Sequence, residues 1–181
     1  MTCKECGAPT GLGGARGRTP SYCSDACRQR AYRRRKRVGL PEVMTSQARW
    51  VRADGKRPIM VDGAPASSTN LTTWASYEEV HASTRGDGFG FMLGGGIGCY
   101  DLDHCIEVDQ LADWAKAFIP TIVEPVIYTE VSASGTGLHL FVEADEAPGR
   151  RIGVPGGVVE RYTRERFIRC GKPASIKNLL E

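Results

Sequence analysis

The stretch GFGFMLGGGIGCYDLD, residues 88–103, decides the fold that the sequence predicts. Two apolar segments, 88–93 and 97–103, flank three consecutive glycines, which is the pattern of two β-strands joined by a turn. Alternate residues of a strand point to the same face, so Asp101 and Asp103 should lie side by side while Leu102 points into the core. The stretch therefore predicts a strand that carries a pair of carboxylates.

Segments on both sides of this stretch extend the pattern. Capping residues followed by glutamate predict a helix start at 72–80, and apolar residues at helical spacing predict a helix over 108–118 that Pro120 ends. Apolar segments predict further strands at 56–61, 127–131, 138–142, 157–162 and 166–170, the last two as a hairpin. We therefore predict an α+β domain dominated by antiparallel strands.

Charge is distributed unevenly along the 181 residues, of which 41% are hydrophobic and 25% charged. Residues 1–57 carry 14 Lys/Arg against 4 Asp/Glu, whereas residues 58–181 carry 10 against 17. A basic head suggests a polyanionic partner, and an acidic body suggests bound cations. Because no apolar segment approaches a membrane span and no signal-peptide core is present, we expect a cytoplasmic protein with no membrane partner.

Composition also predicts the domain organisation. We expect a zinc-binding module with a basic helix at 1–37, a linker at 38–55 that is rich in turn residues, and a larger domain at 56–181.

Four of the seven cysteines lie in the first 27 residues, with two residues between Cys3 and Cys6 and three between Cys23 and Cys27. Two such pairs hold Zn²⁺ tetrahedrally through four thiolates, and the metal supplies folding energy that a short segment cannot obtain from a core. The alternative is four reduced thiols in a disordered arm. The spacing favours a structural zinc site.

A basic run follows the second cysteine pair directly. A helix with cations on every face cannot bury a stripe, so it must be solvated or lie on phosphate. A merely soluble helix is the alternative, which self-repulsion between the cations disfavours. We therefore predict nucleic-acid contacts from Arg28, Arg30, Arg33, Arg34, Arg35, Lys36 and Arg37.

The carboxylate pair of Asp101 and Asp103 suggests a metal site. Two like charges this close raise each other's pKa unless a cation joins them, and the usual cation for carboxylates is Mg²⁺ or Mn²⁺. For an isolated Asp-x-Asp, a solvated strand end is the alternative.

Two later segments carry further candidates. The turn Ser134-Gly135-Thr136-Gly137 can cradle phosphate through its amides, and His139 on the following strand can donate to a phosphate oxygen. The alternatives are an ordinary turn and a satisfied core histidine. Glu160 is an acid beside several cations, which by itself fits a surface salt-bridge patch equally well. Those cations are Arg161, Arg164, Arg166 and Arg169.

Taken in order, these motifs resemble the bifunctional primase–polymerase domain of the archaeo-eukaryotic primase superfamily, in the branch that phages and plasmids carry. The resemblance rests on 101–103, 134–139 and 159–162 with 166–168, and it extends over roughly residues 50–172. The approach to Asp101, through 56–58, 73–74 and 88–91, is similar to that family as well.

The resemblance implies an RRM-like antiparallel sheet flanked by helices and template-directed nucleotidyl transfer by a two-metal mechanism. Asp101, Asp103 and Glu160 would be the Mg²⁺ or Mn²⁺ ligands. His139 would touch the phosphates of the incoming nucleotide, Ser134 and the adjacent glycines would shape that pocket, and Arg166 would lie close to the triphosphate.

The implied partners are a single-stranded DNA template, NTPs or dNTPs, and a separately encoded helicase or primase C-terminal subunit, in the cytoplasm of a phage-infected or plasmid-bearing bacterium. The sequence departs from the family at Cys170, where relatives often have Thr before the glycine. Two other functions fit the same residues. One is a non-catalytic, zinc-dependent nucleic-acid-binding protein that recruits a helicase or polymerase. The other is an enzyme that uses the three acids for repair synthesis or nucleotide hydrolysis.

Overall fold

The computed structural model describes residues 2–3, 6–10, 20–29, 39–108 and 110–174. The chain divides into two compact units, 1–39 and 40–181. None of the helices in the described ranges combines the length and the apolar character needed to cross a bilayer.

Two antiparallel sheets form the framework of the larger unit. Its strands, within the described residues, are β1 (Trp50–Asp54), β2 (Arg57–Ile59), β3 (Gly88–Met92), β4 (Ile97–Leu102), β5 (Ile106–Glu107), β6 (Gln110–Leu111), β7 (Val126–Val131), β8 (Leu138–Glu143), β9 (Arg150–Val154), β10 (Gly157–Tyr162), β11 (Phe167–Arg169) and β12 (Lys172–Pro173). One sheet has the order β11–β3–β1–β2 and the other β12–β7–β8–β4–β10–β9, while β5 and β6 pair separately. The predicted α+β class with mainly antiparallel strands is confirmed, and β3, β4, β7 and β8 lie where the sequence predicts them.

The helices of the larger unit are short: α1 (Glu42–Thr45), α2 (Tyr77–Ala82) and α3 (Asp113–Phe118), with 3₁₀ turns at Leu71–Thr73 and Ile119–Thr121. The start of α2 follows the predicted capping pattern, because the Ser76 side chain accepts from the Glu79 amide and Glu79 accepts from the Ser76 amide. The helix predicted over 108–118 is wrong at its beginning. Val108 is 97% exposed with a φ of 48° and lies between β5 and β6, so only the last six residues are helical.

Apolar side chains pack on both faces of the six-stranded sheet. On one face, Leu102 and Leu138 pack with Leu111 and Ala115 around α3. The other face packs against the four-stranded sheet, through side chains that include Cys99, Phe141, Trp50, Phe91 and Ile168. The second core therefore fixes the two sheets against each other.

The linker predicted at 38–55 is wrong for most of its length. Residues 42–45 form α1, and 50–54 form β1, which pairs with β2 on one side and β3 on the other. Trp50 and Val51 are both completely buried, and the Trp50 indole donates to the Met44 carbonyl at 3.0 Å. The segment is a central strand of its sheet. Because the consecutive residues Trp50 and Val51 are both buried, its sequence lacks the alternation of apolar and polar residues that marks a half-exposed strand.

The hairpin predicted for 157–162 and 166–170 is also wrong. β10 pairs with β4 and β9 in the six-stranded sheet, whereas β11 pairs with β3 in the other sheet. A Cβ at Gly90 would lie 2.2 Å from the Ile168 carbonyl oxygen, so the close approach of β11 to β3 requires glycine there. The chain therefore crosses from one sheet to the other between Tyr162 and Phe167.

Candidate active site

One row of polar side chains crosses four adjacent strands of the six-stranded sheet. The register pairs Glu130 of β7 with His139 of β8, His139 with Asp101 of β4, and Asp101 with Glu160 of β10. Directly paired residues of antiparallel strands project from the same face of the sheet. On the same face, the neighbouring row lies two residues along each strand and belongs to the core between the sheets. It consists of Tyr128, Phe141, Cys99 and Tyr162. The polar row therefore begins where that core ends.

Asp101 lies at the centre of the row and is largely buried, with a side chain 16% exposed. Its Oδ1 is 3.5 Å from Nε2 of His139 but has no hydrogen-bond partner. Burial raises the pKa of Asp101, and the negative charges of Asp103 and Glu160 add to this, while His139 and Arg166 oppose it. Asp101 is thus a carboxylate in an environment that disfavours its charge unless a cation is present.

Asp103 lies just past the end of β4, in an exposed turn. Leu102 between the two acids is completely buried on the opposite face, as the predicted alternation requires. The next residue, His104, has a φ of 51°, which turns the chain away from the strand. Asp103 and Asp101 both line the same cleft.

His139 is held from behind by Glu130. Its Nδ1 lies 2.9 Å from Oε1 of Glu130, and its Nε2 faces Asp101. Burial lowers the pKa of His139, but the hydrogen bond to Glu130 and the charge of Asp101 outweigh it, so the pKa is raised overall.

Glu160 is positioned by two neighbours on its own side of the sheet. The Tyr162 hydroxyl donates to its Oε2 at 2.8 Å, and Nη2 of Arg166 lies 3.8 Å from the same oxygen. The Arg166 guanidinium also lies over the Tyr162 ring, 4.6 Å from its centroid. The three side chains form one linked group at the edge of the cleft.

The turn between β7 and β8 offers hydroxyl groups rather than amides. The Gly135 amide donates to the Ser132 carbonyl at 2.9 Å, and the Thr136 and Gly137 amides donate to the Ser134 and Ser132 hydroxyls. These amides donate within the turn itself, and the predicted phosphate cradle stays a prediction. Ser132 and Ser134 line the cleft, whereas Gly135, Thr136 and Gly137 are not among its lining residues.

The cleft has a volume of about 580 Å³ and two walls of opposite charge. Asp101, Asp103, His139 and Glu160 line one wall, from the six-stranded sheet. The other wall comes from the four-stranded sheet and the segment before β11. It carries three cationic side chains, Lys56, Arg166 and Arg169, and one acidic side chain, Glu165. Nη1 of Arg169 donates to the Gly55 carbonyl and lies 3.0 Å from Asp87 Oδ1, which ties β11 to the β1–β2 turn that carries Lys56.

Glu130, Lys56 and Ser132 are residues of this site to which the sequence analysis assigned no role. A signal for Glu130 existed: with 127–131 and 138–142 as a hairpin, pairing Val131 with Leu138 also pairs Glu130 with His139. Lys56 has no comparable signal, because its position depends on how the two sheets pack.

The four N-terminal cysteines are close together, as predicted. The Sγ atoms of Cys6, Cys23 and Cys27 lie 3.5 to 3.7 Å apart, and Cys3 joins them within 4.8 Å. Tetrahedral zinc with bonds of about 2.3 Å separates its sulfurs by about 3.8 Å, so the cluster could hold this ion. Hydrogen bonds with Cys6, Cys27 and Cys3 raise the pKa of Cys23 to about 12, because they favour its protonated thiol.

Local hydrogen bonds shape both halves of the cysteine cluster. The Cys3 amide donates to the Ala8 carbonyl, and the Gly7 amide donates to the Cys3 carbonyl. Ser24 precedes the helical residues 25–29, and its hydroxyl accepts from the Cys27 amide at 3.2 Å. Arg28 is exposed and lies 3.0 Å from Asp25. The other predicted nucleic-acid contacts, Arg30, Arg33, Arg34, Arg35, Lys36 and Arg37, lie outside the described residues.

Within the described part of the chain, the cysteine cluster is the one group of three or more potential metal ligands whose donor atoms all lie within 4.8 Å of one another. Asp101, Asp103 and Glu160 share the cleft at wider spacing.

Comparison with known proteins gives one informative relative. No family model matches the chain. A DNA primase-polymerase of Nitratiruptor phage NrS-1 is 29% identical in an alignment of length 142, and the alignment covers 70% of this chain and 19% of that protein. The chain thus spans about a fifth of the length of that relative, and the match supports a relationship with primase-polymerases.

Proposed function

We propose that this chain is a template-directed nucleotidyltransferase, a DNA primase-polymerase that makes primers or extends DNA during phage or other mobile-element replication. The observation that carries the proposal is the row of His139, Asp101 and Glu160 in a cleft whose opposite wall is cationic. A nucleoside triphosphate requires acidic groups for its divalent cation and cationic groups for its phosphates. The sequence relationship with a phage DNA primase-polymerase supports the same activity.

The residues of the acidic wall suit Mg²⁺ or Mn²⁺. Asp101, Asp103 and Glu160 offer carboxylate oxygens, which hard divalent cations prefer. The buried Oδ1 of Asp101 lacks a hydrogen-bond partner, and such an orphaned charge is costly unless a cation binds it. When bound, the metal supplies Lewis-acid stabilisation of the triphosphate and activates the attacking 3′-hydroxyl.

The other side chains of the cleft bind and orient the nucleotide. His139 in its doubly protonated form donates from Nε2–H to a phosphate oxygen, in keeping with its raised pKa, and Ser134 donates its hydroxyl to the same phosphate. Arg166, which Tyr162 holds in position, neutralises charge that develops on the leaving pyrophosphate, and Lys56 reaches the phosphates from the same wall of the cleft. Catalysis then consists mainly of positioning and electrostatic stabilisation.

The N-terminal unit supplies template binding in this proposal. Zinc on Cys3, Cys6, Cys23 and Cys27 holds the module at 1–37 folded, and the basic residues from Arg28 to Arg37 lie on the phosphates of single-stranded DNA. The partner of the chain in this proposal is a helicase or a primase C-terminal subunit, in the bacterial cytoplasm.

Incorporation of labelled nucleotides tests the proposal. The full chain is incubated with a single-stranded template, Mn²⁺ and labelled NTPs or dNTPs, and the expected products are oligomers complementary to the template. Asp101→Asn should abolish them, while Asp145→Asn, at an exposed carboxylate outside the cleft, should not. Template binding without incorporation would instead indicate a non-catalytic binding protein. Phosphate release without oligomers would indicate a nucleotide hydrolase.

The basic run has its own test. Neutralising Arg33, Arg34, Arg35 and Lys36 as glutamines should flatten the dependence of single-strand binding on salt concentration, by about 0.7 in logarithmic slope for each lost contact. Arg150→Gln, at an exposed arginine on the edge strand β9, serves as the control and should leave the slope unchanged. An unchanged slope in the quadruple variant would contradict phosphate contacts by the run.

A further inference from the structure

We propose that Glu130 is a positioning residue for His139: its carboxylate accepts a hydrogen bond from Nδ1–H and thereby holds the ring with Nε2 directed at Asp101 and the cleft. This inference rests on the proposed function, because it assigns Glu130 a task only if His139 contacts the nucleotide. With Glu130, the site includes a residue of β7 that does not line the cleft itself.

Burial is the first observation behind the proposal. Glu130 is 0% exposed, and it is one of few charged or polar side chains buried among the described residues of the larger unit. Its Oε2 has no hydrogen-bond partner, so the surroundings satisfy only one of its two oxygens. A carboxylate held in this way costs stability, and an apolar side chain of similar size would fill the same volume without that cost. The fold alone therefore does not explain a glutamate at this position.

The contacts of the two His139 nitrogens are the second observation. Nδ1 lies 2.9 Å from Oε1 of Glu130, and Nε2 lies 3.5 Å from Oδ1 of Asp101. In the proposed arrangement the carboxylate is the acceptor of this hydrogen bond, so Nδ1 carries the proton. That hydrogen bond determines which nitrogen remains for the cleft.

The framework around this pair is rigid. Glu130 and His139 are directly paired in the β7–β8 ladder, in the interior of both strands. Next on the same face, Tyr128 and Phe141 are buried and their ring centroids lie 5.8 Å apart. The His139 and Phe141 rings meet at 90° with centroids 6.4 Å apart. Packing thus limits where the imidazole can lie, and the hydrogen bond to Glu130 selects between its two flipped orientations.

Three variants of the full chain test the proposal: Glu130→Met, Glu130→Gln and, as the matched control, Glu143→Met at an exposed end of β8. Glu130→Met removes the acceptor and keeps side-chain length, whereas Glu130→Gln retains an acceptor oxygen. The first readout is the tautomer of His139, measured by long-range ¹H–¹⁵N correlation in ¹⁵N-histidine-labelled, metal-free protein at alkaline pH. We expect the Nδ1–H form in the wild type, in Glu143→Met and in Glu130→Gln, and its loss in Glu130→Met.

The second readout is template-directed incorporation, with kcat and the nucleotide KM measured separately. Glu130→Met should lower kcat/KM by roughly 10- to 100-fold, and Glu130→Gln should restore most of it. A variant that keeps the Nδ1–H form and loses activity, or loses that form and keeps activity, would overturn the proposal. If Glu130→Met does not fold, an Nε2–H tautomer in the wild type would still overturn it. Absence of incorporation by a wild type with the Nδ1–H form would refute the proposed function and leave the Glu130–His139 contact standing.

Discussion

Asp101 and Glu160 are direct cross-strand partners on β4 and β10, so their carboxylates project from the same face of the sheet. Like charges directly opposite each other destabilise an antiparallel pair. Burial and the charge of Glu160 both act to raise the pKa of Asp101, because each disfavours its ionised form. A divalent cation between them would turn this repulsion into a shared ligand set.

Glu160→Gln should therefore uncouple stability from the metal. In the wild type, Mn²⁺ at about a hundredfold excess over its dissociation constant should add about 2.7 kcal/mol to the free energy of unfolding. In the variant, most of this gain should be lost, and the metal-free protein should be at least as stable as the wild type because one repelling charge is gone. Thermal melts with and without Mn²⁺ measure both effects.

Asp145→Asn is the control for this experiment, because it removes an exposed carboxylate outside the cleft and should keep the full response to Mn²⁺. A wild-type melting temperature that does not respond to Mn²⁺ would show that the carboxylates are a salt-bridge patch.

Arg166→Ala should lower kcat/KM for the nucleotide while leaving the free energy of unfolding almost unchanged. The Arg166 side chain is 49% exposed and interacts with Glu160 at 3.8 Å, so little stability depends on it. Its proposed contact with the triphosphate is a charged hydrogen bond, worth about 1.5–3 kcal/mol, which corresponds to roughly a 10- to 100-fold loss in kcat/KM. Arg150→Ala, at an exposed arginine outside the cleft, should leave kcat/KM unchanged, and an equal effect of both variants would contradict a specific role.

Sequence reasoning predicted best what local chemistry determines. The Ser76–Glu79 capping box marks the start of α2, and the alternation around Leu102 correctly orients the end of β4. Hairpin partners close in sequence, such as β7 and β8, were also predictable, since the turn between them fixes the register.

Long-range pairing could not be predicted in the same way. β1 was missed because Trp50, Val51 and Ala53 are all buried, which removes the alternating pattern of a strand. β10 and β11 are adjacent in sequence but belong to different sheets, a choice made by partners more than 50 residues away. The cationic wall of the cleft depends on that choice, because it brings Arg166 and Lys56 to face Asp101.

Cys27→Ser should remove zinc from the protein. The cysteine thiols are close enough for one tetrahedral ion, and in so small a unit metal affinity and folding free energy are coupled. Elemental analysis of protein purified without chelator should find one zinc per wild-type chain and none, or only weakly held zinc, in the variant. Cys105→Ala, at a buried cysteine of the larger unit, should retain one zinc per chain. A wild type without zinc would contradict the site.

A second ionic cluster, formed by Glu124, Arg161 and Tyr100, makes the free energy of unfolding depend on pH. Oε1 of Glu124 accepts from Arg161 at 2.8 and 3.1 Å, and the Tyr100 hydroxyl donates to the same carboxylate at 3.0 Å. The Glu124 and Arg161 side chains are only 20% and 16% exposed. Burial acts to raise the pKa of Glu124, but a backbone hydrogen bond and those from Arg161 and Tyr100 outweigh it, so the pKa lies below its ordinary value of 4.5.

Glu124→Gln should therefore cost stability at neutral pH and cost less in acid. A carboxylate whose pKa is lowered by folding contributes its full stabilisation above its unfolded pKa, and this contribution disappears as the pH falls through the folded value. Urea denaturation at neutral pH should show a loss of about 1–2 kcal/mol in the variant, and this difference should shrink as the pH falls below about 4.5. Glu143→Gln, at an exposed glutamate, should show neither effect. A difference between wild type and Glu124→Gln that stays constant from neutral to acidic pH would mean that Glu124 acts through packing rather than through its charge.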